Sequence, residues 1–392
     1  MRVFVLGGTG RIGRAVARVL AGDPEVSEIG IGGRDRSLAQ GVSRDVGPKA
    51  LPVGIDALDE IRLARIVEPY DLIVNSAGPD FLVAVPALRA AIAAGTHYCD
   101  IAADAPSTET ALSLAGAAKE AGVTALTGIG HMPGETNLLA RHAASRLDDV
   151  ESVRICVWFA LSRETYTAMG DPEAMRASGR VSASWQTILA WVARRVPVYR
   201  DGKRLDVEPF ETTTEVSLPG GYNVSAYPVA SSEAITLPRS LPQVRTVEIL
   251  MSLDPPQLNE LLHLQAARVV NGETDVAKAA LTFLETLADD KDRWLGKSRK
   301  NPPSYGMLAS AIGTRGGERI RYSCWPATNW ASTVGALATA ARGILRGTIR
   351  ERGVFSPEAI LDPIPFLRDA SRFGPEPPRG QQLLDESIEL ID

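Results

Sequence analysis

Cysteine, histidine and aromatic residues are all scarce in this 392-residue chain. The three cysteines, Cys99, Cys156 and Cys324, lie far apart with no C-x-x-C pair. That spacing argues against a disulfide framework and suits a reducing, cytoplasmic setting. The four histidines, His97, His131, His142 and His263, contain no H-x-x-x-H pair, so no zinc-type metal site is expected. There is no excess of positive charge: 42 Lys and Arg stand against 47 Asp and Glu, for a net charge of -5, which argues against a nucleic-acid partner. The densest basic stretch, Lys291 to Lys300, also holds acids and runs into Asn301-Pro302-Pro303, so it reads as a solvated linker. No apolar run is long enough to span a bilayer, and the amino terminus shows no signal-peptide pattern, so no membrane partner is expected. With 45% hydrophobic residues, the composition is that of a soluble globular chain, and its length suggests about two domains.

Glycine is abundant, and its placement is informative. Arg2-Val3-Phe4-Val5-Leu6 is a short β-rich apolar run that leads straight into Gly7-Gly8-Thr9-Gly10-Arg11-Ile12-Gly13. Ile12, Val16, Val19 and Leu20 then share a helical face. Gly8-x-Gly10-x-x-Gly13 between a strand and a helix fits the dinucleotide pattern. One glycine serves the tight turn, one lets backbone amides approach a diphosphate, and one permits close packing of helix on strand. The helix N-terminus adds partial positive charge. Gly8, Thr9, Gly10, Arg11, Ile12 and Gly13 are therefore the first cofactor-binding candidates.

From that strand to about residue 130, strand-like and helix-like segments alternate. Strands are expected at Glu28–Ile31, Leu51–Ile55, Asp71–Val74, His97–Cys99 and Val123–Thr127. One helix carries Val85, Leu88 and Ile92 and closes at Gly95; another carries Leu112, Ala115 and Ala118 and closes at Gly122. This alternation predicts an α/β fold with a doubly wound parallel sheet. After about residue 150 the pattern changes. Val153–Leu161 and Val244–Leu253 read as strands and Trp185–Arg195 as a helix. Hairpins are expected around Asp201-Gly202 and around the Gly313–Gly317 stretch. A second α+β domain with a mostly antiparallel sheet follows. All six tryptophans lie in this half, which reads as core and interface packing, with a substrate pocket as the alternative. Thr328–Arg346 reads as an amphipathic helix returning to the first domain. The expected organisation is 1–130, 131–325, a returning region 326–373, and a loosely held tail 374–392.

Several residues are placed to carry chemistry. The second strand ends Gly32-Gly33-Arg34-Asp35-Arg36, with no acid at its tip. A guanidinium pairs with a 2′-phosphate that a carboxylate would repel, so Arg34 favours NADP(H) over NAD(H). In the other reading, Arg34 stacks on adenine and Asp35 meets the ribose. Asn75-Ser76-Ala77-Gly78-Pro79 follows the fourth strand, at the ligand-binding edge of such sheets; Asn75, Ala77, Gly78 and Pro79 are cofactor-contact candidates. Gly128-Ile129-Gly130-His131-Met132-Pro133-Gly134 follows the sixth strand, with Gly130 placed to meet the cofactor and His131 to titrate near it. Asp100, at the end of the fifth strand, is a candidate acid/base or amine anchor, with a loop-fixing role as the alternative. His97 reads as structural. Tyr199-x-x-x-Lys203 matches a catalytic pair of short-chain dehydrogenases in letters alone, because an Asp-Gly turn separates the two residues.

Together these stretches resemble the saccharopine dehydrogenase-like family of NAD(P)-dependent oxidoreductases. The likeness runs through Gly7-Gly8-Thr9-Gly10-x-x-Gly13, Asn75-Ser76-Ala77-Gly78-Pro79, Gly95-Thr96-His97-Tyr98-Cys99-Asp100 and Ala121-Gly122-Val123-Thr124 leading to Gly130-x-x-Pro133-Gly134. Late in the chain, Arg346-Gly347-Thr348 and Gly353-Val354-Phe355-Ser356-Pro357-Glu358 are similar to that family's closing motif. The resemblance implies a Rossmann domain plus an α/β domain, a homodimer, and an active site in the cleft between domains. It also implies hydride transfer at an imine or secondary amine of a small molecule, with a nearby acid/base moving protons. Asp80 and Met132 stand where saccharopine-forming members carry Tyr and Asp, near the reacting centre, which puts saccharopine itself in doubt and adds Asp80 to the catalytic candidates. Dicarboxylate substrates would call on arginines such as Arg163, Arg180, Arg239 or Arg245. Two other readings stay open: a carbonyl or activated C=C reductase, and a non-catalytic NADP(H)-binding redox sensor.

Overall fold

The computed structural model describes residues 1–162, 172–295, 305–378, 380 and 382–391. Arg163, residues 296–300 of the basic stretch, and Asn301-Pro302-Pro303 lie outside the described residues. The chain forms two compact units, Met1–Arg141 with Ala327–Leu384, and His142–Pro326 with Asp385–Asp392.

In the first unit, strands and helices alternate as β1 (Arg2–Leu6), α1 (Arg11–Ala21), β2 (Glu28–Gly33), α2 (Arg36–Val46), β3 (Ala50–Gly54), α3 (Glu60–Val67), β4 (Leu72–Asn75), α4 (Asp80–Ala94), β5 (His97–Asp100), α5 (Ala105–Ser113), α6 (Ala115–Glu120), β6 (Thr124–Leu126) and α7 (Glu135–Ala144). Val3, Phe4, Val5 and Leu6 are all buried, as a central strand covered on both faces requires. The helix expected through Leu112 and Ala118 is in fact two, because Leu114 leaves the helical region (φ -84°, ψ 2°) between α5 and α6.

The second unit holds β7 (Asp149–Ala160), α8 (Pro172–Ser178), α9 (Ala183–Val192), β8 (Val196–Arg200), β9 (Lys203–Val207), β10 (Thr214–Leu218), β11 (Tyr222–Pro228), α10 (Glu233–Ser240), β12 (Thr246–Asp254), α11 (Gln257–Val270), α12 (Val276–Asp289), α13 (Lys291–Leu295), β13 (Tyr305–Arg315) and β14 (Glu318–Pro326). Its sheet runs β10-β11-β12-β7-β13-β14-β16, the last being Leu384–Leu390, with β8 beside β12 and β9 beside β8. β7 and β12 are parallel. The β8–β9, β10–β11 and β13–β14 hairpins and the β7–β13 pair are antiparallel. The first hairpin turns at Asp201-Gly202, both at positive φ, which matches the twist of the flanking strands. Lys291–Leu295, expected as the start of a linker, is a short helix because Leu295 has a buried place to go.

The chain then adds α14 (Thr333–Leu345), β15 (Gly353–Phe355), α15 (Pro357–Ile360) and α16 (Pro363–Ser371) to the first unit, and β16 (Leu384–Leu390) ends it. α14 starts five residues later than the sequence suggests, because Ser332 caps it by accepting the Gly335 N–H. Its other end is tied to the first unit's amino-terminal part, where Asp23 accepts from Arg342 and Arg346 at 2.9 and 2.8 Å. β15 lies beside β6 and completes a seven-stranded, all-parallel sheet of order β15-β6-β5-β4-β1-β2-β3. Residues 384–390, expected within a loose tail, form an edge strand of the second sheet; the polar sequence of β16 hides this because the strand is largely solvent-facing. No helix among the described residues is long and apolar enough to cross a membrane, and the three cysteines are buried and unbridged.

Candidate functional site

The carboxyl ends of β1, β2, β4, β5 and β6 share one edge of the first sheet, and strand order reverses between β1 and β4. Such a switch point opens a crevice for ligands. At its centre the glycines divide the work differently from the sequence expectation. The left-handed residue is Gly7 (φ 76°), not Gly8, and a Cβ there would sit 2.5 Å from the Ala77 nitrogen. Gly8 is pinned by donating its N–H to Val5 and Gly32 carbonyls. A Cβ on Gly13 would come within 2.4 Å of the Gly7 oxygen and 2.6 Å of Ser76 Oγ, so this glycine lets α1 press onto the loop. Gly10 alone faces outward, where an added Cβ would meet only the Gly7 oxygen, at 3.2 Å. It is also the N-cap of α1, and neither it nor any first-turn carboxylate occupies the helix terminus. Exposed Gly10 and Arg11, with half-buried Thr9 and Ile12 beside them, bring the N-terminus of α1 to the surface, the kind of helix end a diphosphate requires, while the Gly10 N–H itself donates to the Gly7 carbonyl at 2.9 Å.

Beyond β2 and β3 lies a cleft of about 600 Å³ lined by Arg34, Arg36, Gly54, Ile55, Asp56 and Arg62, among others. Arg34 is solvent-exposed at its rim. Asp35, the residue that could have met a ribose, instead caps α2, with Oδ1 accepting the Ser37 and Leu38 amides at 2.8 and 3.2 Å. Arg62 reaches in from α3 and donates to the Gly54 carbonyl. Sequence reading missed Arg36 and Arg62. Arg62 is 28 residues beyond Arg34, and only the return of α3 over β3 brings it to the cleft.

On the other side of the switch point the polar groups are engaged with one another. Asn75 Oδ1 accepts the Ala77 N–H and its amide donates to Tyr98 Oη. Tyr98 Oη in turn donates to Asp100 Oδ2 at 2.8 Å. Asp100 Oδ1 accepts from the Ala102 and Gly128 amides and Thr127 Oγ1. Burial pushes the Asp100 carboxyl up, and the Gly128 and Ala102 amides, Tyr98 and Thr127 pull against it. Burial, then the neighbouring Asp100 charge, pushes the Tyr98 phenol well above its usual range. Asp80 Oδ2 accepts the Ala103 and Asp104 amides at 2.6 and 2.9 Å, fastening the loop after β5 to the start of α4. Both carboxylates therefore sit in loop-fixing positions. Tyr98 was within reach of sequence reasoning, since it lies two residues before Asp100 and so on the same face of β5. Gly78 and Pro79 lead into α4, with Pro79 as its N-cap.

The loop after β6 is tightly folded. Gly130 donates its N–H to the Pro133 carbonyl, so this amide is engaged within the loop. Asn137 Oδ1 accepts the Gly134 N–H, and its amide donates to Glu358 Oε2 at the start of α15. Buried His131 places Nδ1 2.9 Å from Oε2 of Glu135, which is itself completely buried. Glu135 and Ser332 were not anticipated, because their pairing joins residues 197 apart. His97 lies at the opposite end of β5, where its Nδ1 accepts the Thr124 N–H, consistent with a structural place. The described residues hold no metal-type cluster.

Residues 3–126 match the family described as saccharopine dehydrogenase NADP binding domain. Across the chain, the fold is similar to apo saccharopine dehydrogenase (L-Glu forming) from Saccharomyces cerevisiae, with 15% identity, a TM-score of 0.65 and 99% of each chain covered. An amine dehydrogenase from Mycobacterium smegmatis is similar at 14% identity and a TM-score of 0.46, over 92% of this chain and 96% of that one. At these identities the structures speak to the fold alone.

Proposed function

We propose that the chain, whose residues 3–126 match the saccharopine dehydrogenase NADP binding domain family, is an NADP(H)-dependent enzyme acting on a carbon–nitrogen bond. The substrate class we infer is a small imine or secondary amine derived from an amino acid or amine. The observation that carries the cofactor preference is the arginine-lined cleft: Arg34, Arg36 and Arg62 surround the end of β2 while Asp35 is turned into its own helix. A dinucleotide diphosphate fits the outward face of Gly10, and a 2′-phosphate fits this cleft.

A bound dinucleotide would supply or receive the hydride. The protein's own contribution is positional and protonic. Gly7, Gly8 and Gly13 shape the loop, Asn75 and Tyr98 hold the loop after β4, and Asp80 and Asp100 hold the loops after β5 and β6. The candidates for proton transfer are His131, Asp80 and Asp100, with Asp100 held by four donors and His131 by Glu135. We place the enzyme in a reducing cytoplasm, as a homodimer, on the strength of the family resemblance and its unbridged cysteines.

The test measures NADPH and NADH binding by calorimetry for the wild type and Arg34→Ala. Loss of one charge-assisted pair should weaken NADPH by ~10–150-fold, about 1.5–3 kcal/mol, and leave NADH nearly unchanged. Equal weakening of both would remove the 2′-phosphate assignment. A turnover assay with carbonyl compounds, with and without an amine co-substrate, checks the bond type: NADPH oxidation without amine would favour a carbonyl reductase.

A further inference from the structure

Arg62 joins the free edge of the first sheet to the arginine-lined cleft. β3 is the last strand of that sheet. The Ile55 N–H donates inward to the Gly33 carbonyl at 2.9 Å. In a trans peptide the Gly54 carbonyl then points the other way, toward the open edge. Arg62 Nη2 donates to it at 3.0 Å. Gly54 also admits Arg36: a Cβ on the glycine would lie 3.3, 3.7 and 3.8 Å from Arg36 Cβ, Cγ and Cδ, so the Arg36 stem runs against bare backbone. Side chains from the starts of α2 and α3 thus straddle one glycine.

The charges around this glycine do not balance. Arg34, Arg36 and Arg62 line the cleft, with Asp56 as the acid in its wall. Among the described residues, none of the three arginines is in an ion pair. The nearby acids hold backbone instead: Asp35 caps α2, Asp59 caps α3 by accepting the Arg62 N–H, and Asp56 Oδ1 accepts the Leu58 N–H at 3.0 Å. Like charges gathered in a concavity repel one another until an anion joins them. A guanidinium carries several N–H donors, and the Gly54 carbonyl takes one at Nη2, so Arg62 is held in place with donors to spare.

We propose that Arg62 is a specificity-determining residue for the dinucleotide 2′-phosphate, preset by the Gly54 carbonyl, so that α3 as well as the turn after β2 decides between NADP(H) and NAD(H). This rests on the proposed cofactor reading. An arginine already held by the backbone loses less side-chain freedom on binding than an unrestrained one. The phosphate oxygens accept from it while Arg34 and Arg36 approach from the β2 side.

Arg62→Gln is the informative change, because it removes the charge and keeps an N–H donor for the Gly54 carbonyl. Arg62 is solvent-exposed, so the variant should fold. Calorimetry on the full chain with 2′,5′-ADP, 5′-ADP, NADPH and NADH reads the effect. The expected result is ~10-fold or more weaker binding of 2′,5′-ADP and NADPH, with 5′-ADP and NADH unchanged and part of the loss restored in Arg62→Lys. A side chain that merely caps the sheet edge would weaken all four ligands alike, or lower the urea midpoint and leave binding untouched. Either outcome overturns the proposal. Loss of NADPH preference in Arg34→Ala but not in Arg62→Gln sinks this inference and leaves the cofactor reading standing. A wild-type chain that binds 2′,5′-ADP no better than 5′-ADP sinks both.

Discussion

The two halves of the first sheet's carboxyl edge are built on opposite plans. Around β1 and β2 the loop is exposed at Gly10, and three arginines line a cleft. Around β5 and β6 almost every polar side chain is engaged: Asp100 holds four donors, Asp80 holds two amides, and Glu135 bridges His131 and Ser332. The difference teaches that burial and hydrogen bonding convert a carboxylate from a reactive group into a brace. A ligand site needs donors that face outward, and in the first half Arg34 is exposed. In the second half a hydrogen-bonded network holds the loops in shape, His131 included through Glu135.

This contrast can be broken at graded cost. The largest effect is expected from Gly13→Val, which drives side-chain atoms into the Gly7 carbonyl and should cost about 3 kcal/mol or more, seen as loss of cooperative folding in urea. Gly10→Val separates binding from folding: its Cβ would meet only the Gly7 carbonyl oxygen, at 3.2 Å, which a shift of a few tenths of an ångström relieves, so the fold should persist while NADPH affinity drops by about 100-fold or more. A variant that binds normally would show that the diphosphate does not pass over Gly10. Asp100→Ala should destabilise the protein by about 3 kcal/mol through several orphaned buried donors, measured by urea unfolding. If the cost is near zero, the second half is not a braced network.

The smallest effect concerns Asp23, far from both halves. Burial raises its carboxyl pKa, but the Glu25 amide and the Arg346 and Arg342 guanidiniums outweigh this and hold it below its ordinary value. Its stabilisation is therefore full above the ordinary value of 3.8 and disappears as pH falls through the lowered one. Asp23→Asn should cost about 1 kcal/mol at pH 7 and flatten the acid limb of the stability profile. An unchanged limb would mean that the α14 clasp carries no pH-dependent stability.

Much of the first unit was readable because its signals are local. β1 to β6 are apolar runs closed by turns, and the glycine loop is contiguous. β15 escaped notice because three residues, Gly353 to Phe355, become a strand only beside β6. The second unit was readable at its hairpins, where Asp201-Gly202 and Gly316-Gly317 dictate the turn. Its sheet order, with the parallel β7–β12 pair and the late β16, depends on contacts far apart in sequence.

The sequence by itself determined a dinucleotide fold, because a glycine pattern between strand and helix is a local steric requirement. It also brought Arg34, Asp80, Asp100 and His131 to one strand edge, because a parallel sheet sends every such loop there. Only the tertiary structure decided how each of them is hydrogen-bonded. That depends on partners such as Tyr98, Gly128 and Ser332, and hydrogen-bond satisfaction is a property of three-dimensional neighbours.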